Sequence, residues 1–121
     1  MNGAPEYLLA IYIAQQRRPT PIPTGEIAAM LDRSPSAVTE MCTRLADRGA
    51  VDYEPYEGVR LTDSGRQRAA TFHETYVTVS WFFRSVLELD DHESEAIEVA
   101  GVLSPQVTER LAAALPCPVP D

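Results

Sequence analysis

The sequence predicts a mostly α chain: a winged helix-turn-helix with a two-stranded β-wing, followed by an α-helical dimerisation region. Three observations predict it. Two short amphipathic stretches flank "DRSP", a turn that ends in a fresh helix start. The apolar pattern then switches from helical spacing to alternation across "VDYEPYEGVRL", which reads as two short strands around a turn. The helical stretch that follows carries "SWFFRSVLEL", more apolar surface than one small winged helix can cover.

In chain order, Tyr7, Leu8, Ile11, Tyr12 and Gln15 recur at helical spacing and predict a first helix over Pro5 to Gln16. "RRPTPIPT" has three prolines in five residues and reads as an extended connector. Thr24 is the expected N-cap of a second helix ending near Leu31, with Ile27, Ala28 and Leu31 on one face. Ser34 as N-cap and Pro35 at the first helical position start the third helix. Val38, Met41, Cys42 and Leu45 form its apolar stripe and Gly49 stops it. Val51 and Tyr53 alternate with Asp52 and Glu54 in the first strand. Pro55 breaks it, Glu57-Gly58 is the expected turn, and Val59 and Leu61 alternate with Arg60 in the second. Thr62 is placed to cap a fourth helix from Asp63 to about Leu87. A fifth helix starts near Asp90 or Asp91, and "SPQVTERLAAAL" is a sixth, opened again by Ser-Pro. The tail "PCPVPD" is locked by proline. The expected division is residues 1–63 for the winged helix and 64–121 for the helical dimerisation region with its Pro-rich tail.

The chain has 121 residues, 45% hydrophobic and 23% charged, the composition of an ordinary globular protein. No apolar run approaches the ~20 residues of a membrane span. No basic stretch precedes the apolar part of the N-terminus, so neither a secretory leader nor a membrane partner is expected. Cys42 and Cys117 are far apart, and a reducing cytoplasm is the expected compartment. Eighteen acids stand against ten basic residues for a net charge of -8, and every basic residue is Arg. Acid excess without lysine resembles the composition of halophile proteins; a GC-rich genome would account for the arginine but not for the acid. Eight arginines fall within the first 68 residues, and from Glu88 onward acids outnumber arginines eight to one. That polarity suits a chain with one DNA-facing part.

A recognition helix enters the major groove with its N-terminal residues at the base edges. With the apolar stripe inward, the outer face carries Ser34, Ser36, Ala37, Thr39, Glu40, Thr43 and Arg44. Hydroxyls can serve phosphates and base edges, and a small apolar group can meet a thymine methyl. Thr24 and Arg33 flank this face and Arg60 lies in the wing, completing the candidate contacts to a double-stranded operator. Arg17, Arg18, Arg48, Arg66 and Arg68 are further phosphate candidates. Trp81, Phe82, Phe83, Val86 and Leu87 are the candidate homodimer interface.

These residues resemble a known family. "SPSAVTEM", "LADRG", "YEPYEGVRLT" and "SGR" resemble the winged helix of the iron-dependent repressor family, which includes the diphtheria toxin repressor and the manganese transport regulators; "VLELD" and "VLSPQVTERL" resemble its dimerisation region. The resemblance covers about Glu6 to Leu111. It implies a cytoplasmic dimeric repressor charged by iron or manganese, in the short form without a C-terminal barrel domain. It also implies metal positions, and there this sequence departs from the family. Glu6 matches a ligand of the first helix. The histidine and glutamate of the fourth helix fall on Tyr76 and Ser80. Ligands of the fifth fall on Ile97, Ala100 and Gly101, with a further one at His92 or Glu93. Tyr76, Ile97, Ala100 and Gly101 are poor or impossible ligands for Mn²⁺ or Fe²⁺. Glu57 also stands where the family often has a basic residue, and Arg60 is the nearby substitute.

A relocated site would draw on Glu6, His73, Glu74, His92, Glu93 and the other acids of the fifth helix, carboxylates with histidine suiting Mn²⁺ or Fe²⁺; the alternative is a solvated acidic face. No Gly-rich phosphate loop or nucleophile–base arrangement suggests an enzyme. The expected function is a DNA-binding transcription regulator of metal-homeostasis type with a degenerate or relocated metal site. The alternative is a winged-helix protein-interaction module without specific DNA binding.

Overall fold

The computed structural model describes residues 3–115. Six helices and one hairpin follow in the order α1 (Ala4–Arg17), α2 (Thr24–Leu31), α3 (Pro35–Asp47), β1 (Val51–Glu54), β2 (Gly58–Leu61), α4 (Asp63–Ser85), α5 (His92–Ala100) and α6 (Pro105–Ala114). The chain forms two compact units, Met1–Ala70 and Thr71–Asp121, so α4 begins in the first and continues into the second.

In the first unit α1 contacts α2, α3 and β2. It is buried on nearly every side, Leu9, Ala10, Ile13 and Ala14 included, and not only along the expected stripe. Leu8, Ile11, Ile27, Val38, Leu45 and Val59 are all fully buried, each contributing about 1.5–3 kcal/mol by leaving water. α2 enters differently from expectation. Pro23 occupies the cap position, Thr24 is the first helical residue, and no side chain caps the helix. Proline's fixed φ sets the extended entry that a capping threonine would otherwise provide.

The start and stop of α3 follow the sequence signals. Ser34 Oγ accepts the Ala37 amide at 3.2 Å with Pro35 behind it. At the other end Gly49 has φ +76°, and the Gly49 and Ala50 amides reach the Ala46 and Leu45 carbonyls at 3.0 and 2.9 Å. That is a Schellman closure, which favours glycine at its left-handed position. Met41, expected in the core stripe, is only half-buried.

β1 and β2 pair antiparallel, Val51 opposite Leu61 and Glu54 opposite Gly58. The turn is centred on Pro55-Tyr56, two positions earlier than expected. The Glu57 amide bonds the Glu54 carbonyl at 3.1 Å, and Tyr56 takes φ +71° after Pro55. This is the order a type II turn requires, proline then a left-handed residue. Gly58 is left free to open β2. Ile22, between two prolines of the connector, adds a one-residue bridge to Val59, with both N–H···O contacts at 2.8 and 2.9 Å. Gly58 permits this approach, since a Cβ there would meet the Ile22 carbonyl oxygen at 2.3 Å.

Thr62 joins hairpin to helix. Its amide bonds the Ala50 carbonyl at 3.0 Å, its hydroxyl donates to the Gly49 carbonyl at 2.7 Å, and Oγ1 accepts the Gly65 amide at 3.1 Å.

In the second unit Val79 on α4 and Ala96, Ile97 and Ala100 on α5 are buried. α4 ends at Ser85, two residues short of Leu87, and Glu88 turns away with φ +55°. Glu88, Asp90 and Asp91 would be repelled by the negative end of a longer helix. Ser104 caps α6 through the Val107 amide at 3.2 Å. Cys117 and the tail that the sequence predicts to be locked by proline lie outside the described residues.

Candidate nucleic-acid interface

The exposed face of α3 presents Ser36, Thr39, Glu40, Thr43 and Arg44, held outward because Val38, Cys42 and Leu45 are fully buried beneath them. Several of these groups already have partners. Ser34 Oγ is used by the cap and stands 3.3 Å from Ser36 Oγ. Thr43 Oγ1 donates to the Thr39 carbonyl at 3.0 Å. Ala37 and Met41 border a shallow cavity of about 290 Å³ shared with Gly3, Glu6 and Tyr7 of the α1 end. Thr24 is half-buried at the start of α2. Burial pushes the Cys42 thiol up to about 11 and raises Tyr7, the latter against the pull of Arg33.

The eight arginines of the first unit divide into two sets, which the sequence does not reveal. Arg44 pairs with Glu40 at 3.1 Å, Arg33 with Glu6 at 2.9 Å, Arg18 with Glu26 at 3.2 Å, and Arg60 with its cross-strand neighbour Asp52 at 3.6 Å. Arg17, Arg48, Arg66 and Arg68 are exposed and enter no ion pair among the described residues. The exposed pairs are worth about 0–1 kcal/mol each and open readily. The pair at Glu6 differs, because that carboxylate is buried, 8% exposed.

The positions considered for metal fall in both units. In the first, Glu6 is bound to Arg33. In the second, the His73 ring lies 5.7 Å from that of Tyr76, and burial lowers its pKa while Glu74 pulls the other way. The Tyr76 hydroxyl donates to Glu93 Oε2 at 3.3 Å, and Ser80 Oγ lies 2.8 Å from His92 Nδ1. Ile97, Ala100 and Gly101 offer no side-chain donor. Among the described residues no group of three or more His, Cys, Asp or Glu is placed to hold an ion. The donor set does not fit the metal that the resemblance implies.

Trp81, Phe82 and Phe83 are half-exposed on α4, with Arg84 stacked 5.1 Å from the Trp81 ring. Val86 and Leu87, in the turn beyond, are 43% and 51% exposed. Among the described residues no helix is long and apolar enough to cross a membrane.

A capped helix presented outward after a short turn, with a β-hairpin directly behind it, defines a winged helix-turn-helix protein of the DNA-binding class. Residues 1–59 match the family described as iron dependent repressor, N-terminal DNA binding domain. A helix-turn-helix transcriptional regulator of Methanocaldococcus jannaschii is 37% identical over 108 residues, covering 88% of this chain and 86% of that one. The chain belongs to the iron-dependent repressor family, a family of transcriptional repressors and not of enzymes. Among solved structures, a manganese-dependent transcriptional repressor in complex with manganese superposes with a TM-score of 0.78 at 28% identity, covering 91% of this chain. The chain spans 51% of that protein's length. The manganese regulator SloR superposes at 0.73 with 25% identity over 93% of this chain and 54% of its own. The T. acidophilum IdeR, at 17% identity and a TM-score of 0.74, shares the fold.

Proposed function

We propose that the chain is a homodimeric repressor that binds a near-palindromic DNA operator of a metal-homeostasis gene in the cytoplasm, and that neither Mn²⁺ nor Fe²⁺ at ordinary levels controls it. Residues 1–63 bind DNA and 64–121 dimerise. The observation that carries the reading is the exposed α3 face, Ser36 to Arg44, with the wing fixed directly behind it. Ser36 and Thr39 offer hydroxyls to base edges. Glu40 and Arg44 exchange their mutual contact for cytosine and phosphate partners. Arg48, Arg66 and Arg68 supply further phosphate contacts. The half-exposed run Trp81–Leu87 supports dimerisation, since apolar patches of this kind mark interfaces, and a two-fold dimer requires two half-sites.

Footprinting over genomic fragments tests this. One protected near-palindrome is expected, and Ser36→Glu should weaken it at least tenfold by placing a carboxylate against the duplex. Arg48→Ala should weaken all duplexes alike and take about one phosphate contact's counterion release out of the salt dependence. One observation favours the competing reading, a protein-interaction module: the arginines of α3 and the wing are matched by neighbouring acids. Absence of any protected site at every salt concentration would select it.

A further inference from the structure

The family's metal positions in this chain are occupied with one another, and the substitutions match. The α4 positions that have lost a ligand, Tyr76 and Ser80, contact the two α5 residues that could still serve as one, Glu93 at 3.3 Å and His92 at 2.8 Å. Both contacts run from α4 to the first turn of α5, one hydroxyl to one remaining donor each. Tyr76 is buried, 9% exposed, so its hydroxyl requires a partner, and Glu93 supplies it. The α5 positions further along, Ile97 and Ala100, are buried and apolar, and pack where a ligand set would need polar groups. In the first unit the buried Glu6 carboxylate meets the Arg33 guanidinium at 2.9 Å, and Arg33 also donates to the Leu31 carbonyl at 3.3 Å. A carboxylate this deep needs a cation, and the chain carries its own.

We propose that these three pairs are internal replacements for a bound ion. Arg33 is the permanent cation of Glu6 and ties α1 to the turn that precedes α3. Tyr76–Glu93 and Ser80–His92 fasten the first turn of α5 to α4. Each unit is thereby held together by side-chain contacts that no chelator removes. A divalent ion would have to break them to bind, and would then find only one or two ligands. An ion moves a conformational equilibrium only by its differential affinity for the two states, and here that difference is close to zero. The inference deepens the regulator reading by naming what takes the place of its metal requirement.

The test uses the full chain, stripped with chelator and exchanged into metal-free buffer, and needs no DNA. A failed footprint therefore leaves it standing, and its own failure leaves DNA binding standing. In the natural chain, micromolar Mn²⁺ should give no binding heat and shift the Tm by less than a degree. Tyr76→Phe and Ser80→Ala should each lower the metal-free Tm by several degrees, whereas Ser80→Thr, which keeps the hydroxyl, should not. Arg33→Ala should lower it further by taking the Arg33 guanidinium away from the buried Glu6 carboxylate. Adding Glu6→Gln to Arg33→Ala should recover part of the loss, because the neutral amide needs no cation. Stoichiometric micromolar Mn²⁺ binding abolished by His92→Ala would overturn the proposal. So would a Tm unmoved by Tyr76→Phe, Ser80→Ala and Arg33→Ala.

Discussion

Gly65→Ala should destabilise the protein sharply. Gly65 lies in the first turn of α4, where the helix presses on the carbonyl of Ala50 just after the α3 stop. A Cβ at this position would stand 1.9 Å from the Ala50 oxygen and 2.9 Å from its carbon. Ordinary carbon–oxygen contacts lie near 3.3 Å, so roughly 1.4 Å must be found by moving backbone. The Ala50 carbonyl cannot give way, since it already accepts the Thr62 amide at 3.0 Å, and Thr62 in turn caps the helix through the Gly65 amide. Overpacking of this kind costs about 1–3 kcal/mol. For a chain of this size a 3 kcal/mol loss lowers the Tm by roughly 10 °C. Gly25→Ala is the control. It also lies in the first turn of a helix, but a Cβ there meets nothing within 4 Å. Alanine at that position should gain up to about 1 kcal/mol by restricting the unfolded chain. Scanning calorimetry of the two variants should give shifts of opposite sign. A Gly65→Ala protein melting within two degrees of the natural one would refute the reasoning.

Trp81→Ala should weaken dimerisation by roughly 2–4 kcal/mol if the Trp81–Leu87 surface is a packed interface; a natural chain that sediments as a monomer at high concentration and high salt would remove that interface. Operator affinity should depend only shallowly on salt, or rise with it, because Arg44 and Arg60 release acids as well as phosphate counterions on binding; a loss of several orders of magnitude between moderate and molar salt would contradict this. The Cys42 thiol, buried and raised to about 11, should resist thiol reagents at neutral pH until the protein unfolds, and labelling of the native protein at the rate of a free thiol would show that the α3 core opens.

The parts of the fold that depend on near neighbours could be read from the sequence. Ser34-Pro35 announces the start of α3 and Gly49 its end, and each does so through hydrogen bonds spanning a few residues. Thr62 capping α4 belongs with them, as does the alternation of the two strands. What escaped depends on partners distant in the chain. Gln15, placed on the apolar stripe by its spacing, accepts the Leu61 amide at 2.9 Å from 46 residues away. The Ile22–Val59 bridge has no periodicity because it is one residue long. Prolines misled twice: Pro23 displaced Thr24 as the cap, and Pro55 drew the hairpin turn forward by favouring a left-handed residue directly after it. The candidate interface was legible as a set of residue types but not as a set of free charges. Nothing local indicates that Arg33 serves Glu6, 27 residues earlier in the chain.

The single bridge at Ile22 has a consequence for the wing. A two-stranded hairpin alone is marginal in water, and a bare strand edge invites pairing with other chains. Ile22 covers β2 at Val59, and with proline on both sides of it the sheet cannot be extended further in that direction. The hairpin is therefore already stiff before it meets a duplex, so little of its conformational freedom is left for binding to remove. The proline-rich connector, which looks like a spacer between two helices, functions as a splint for the wing.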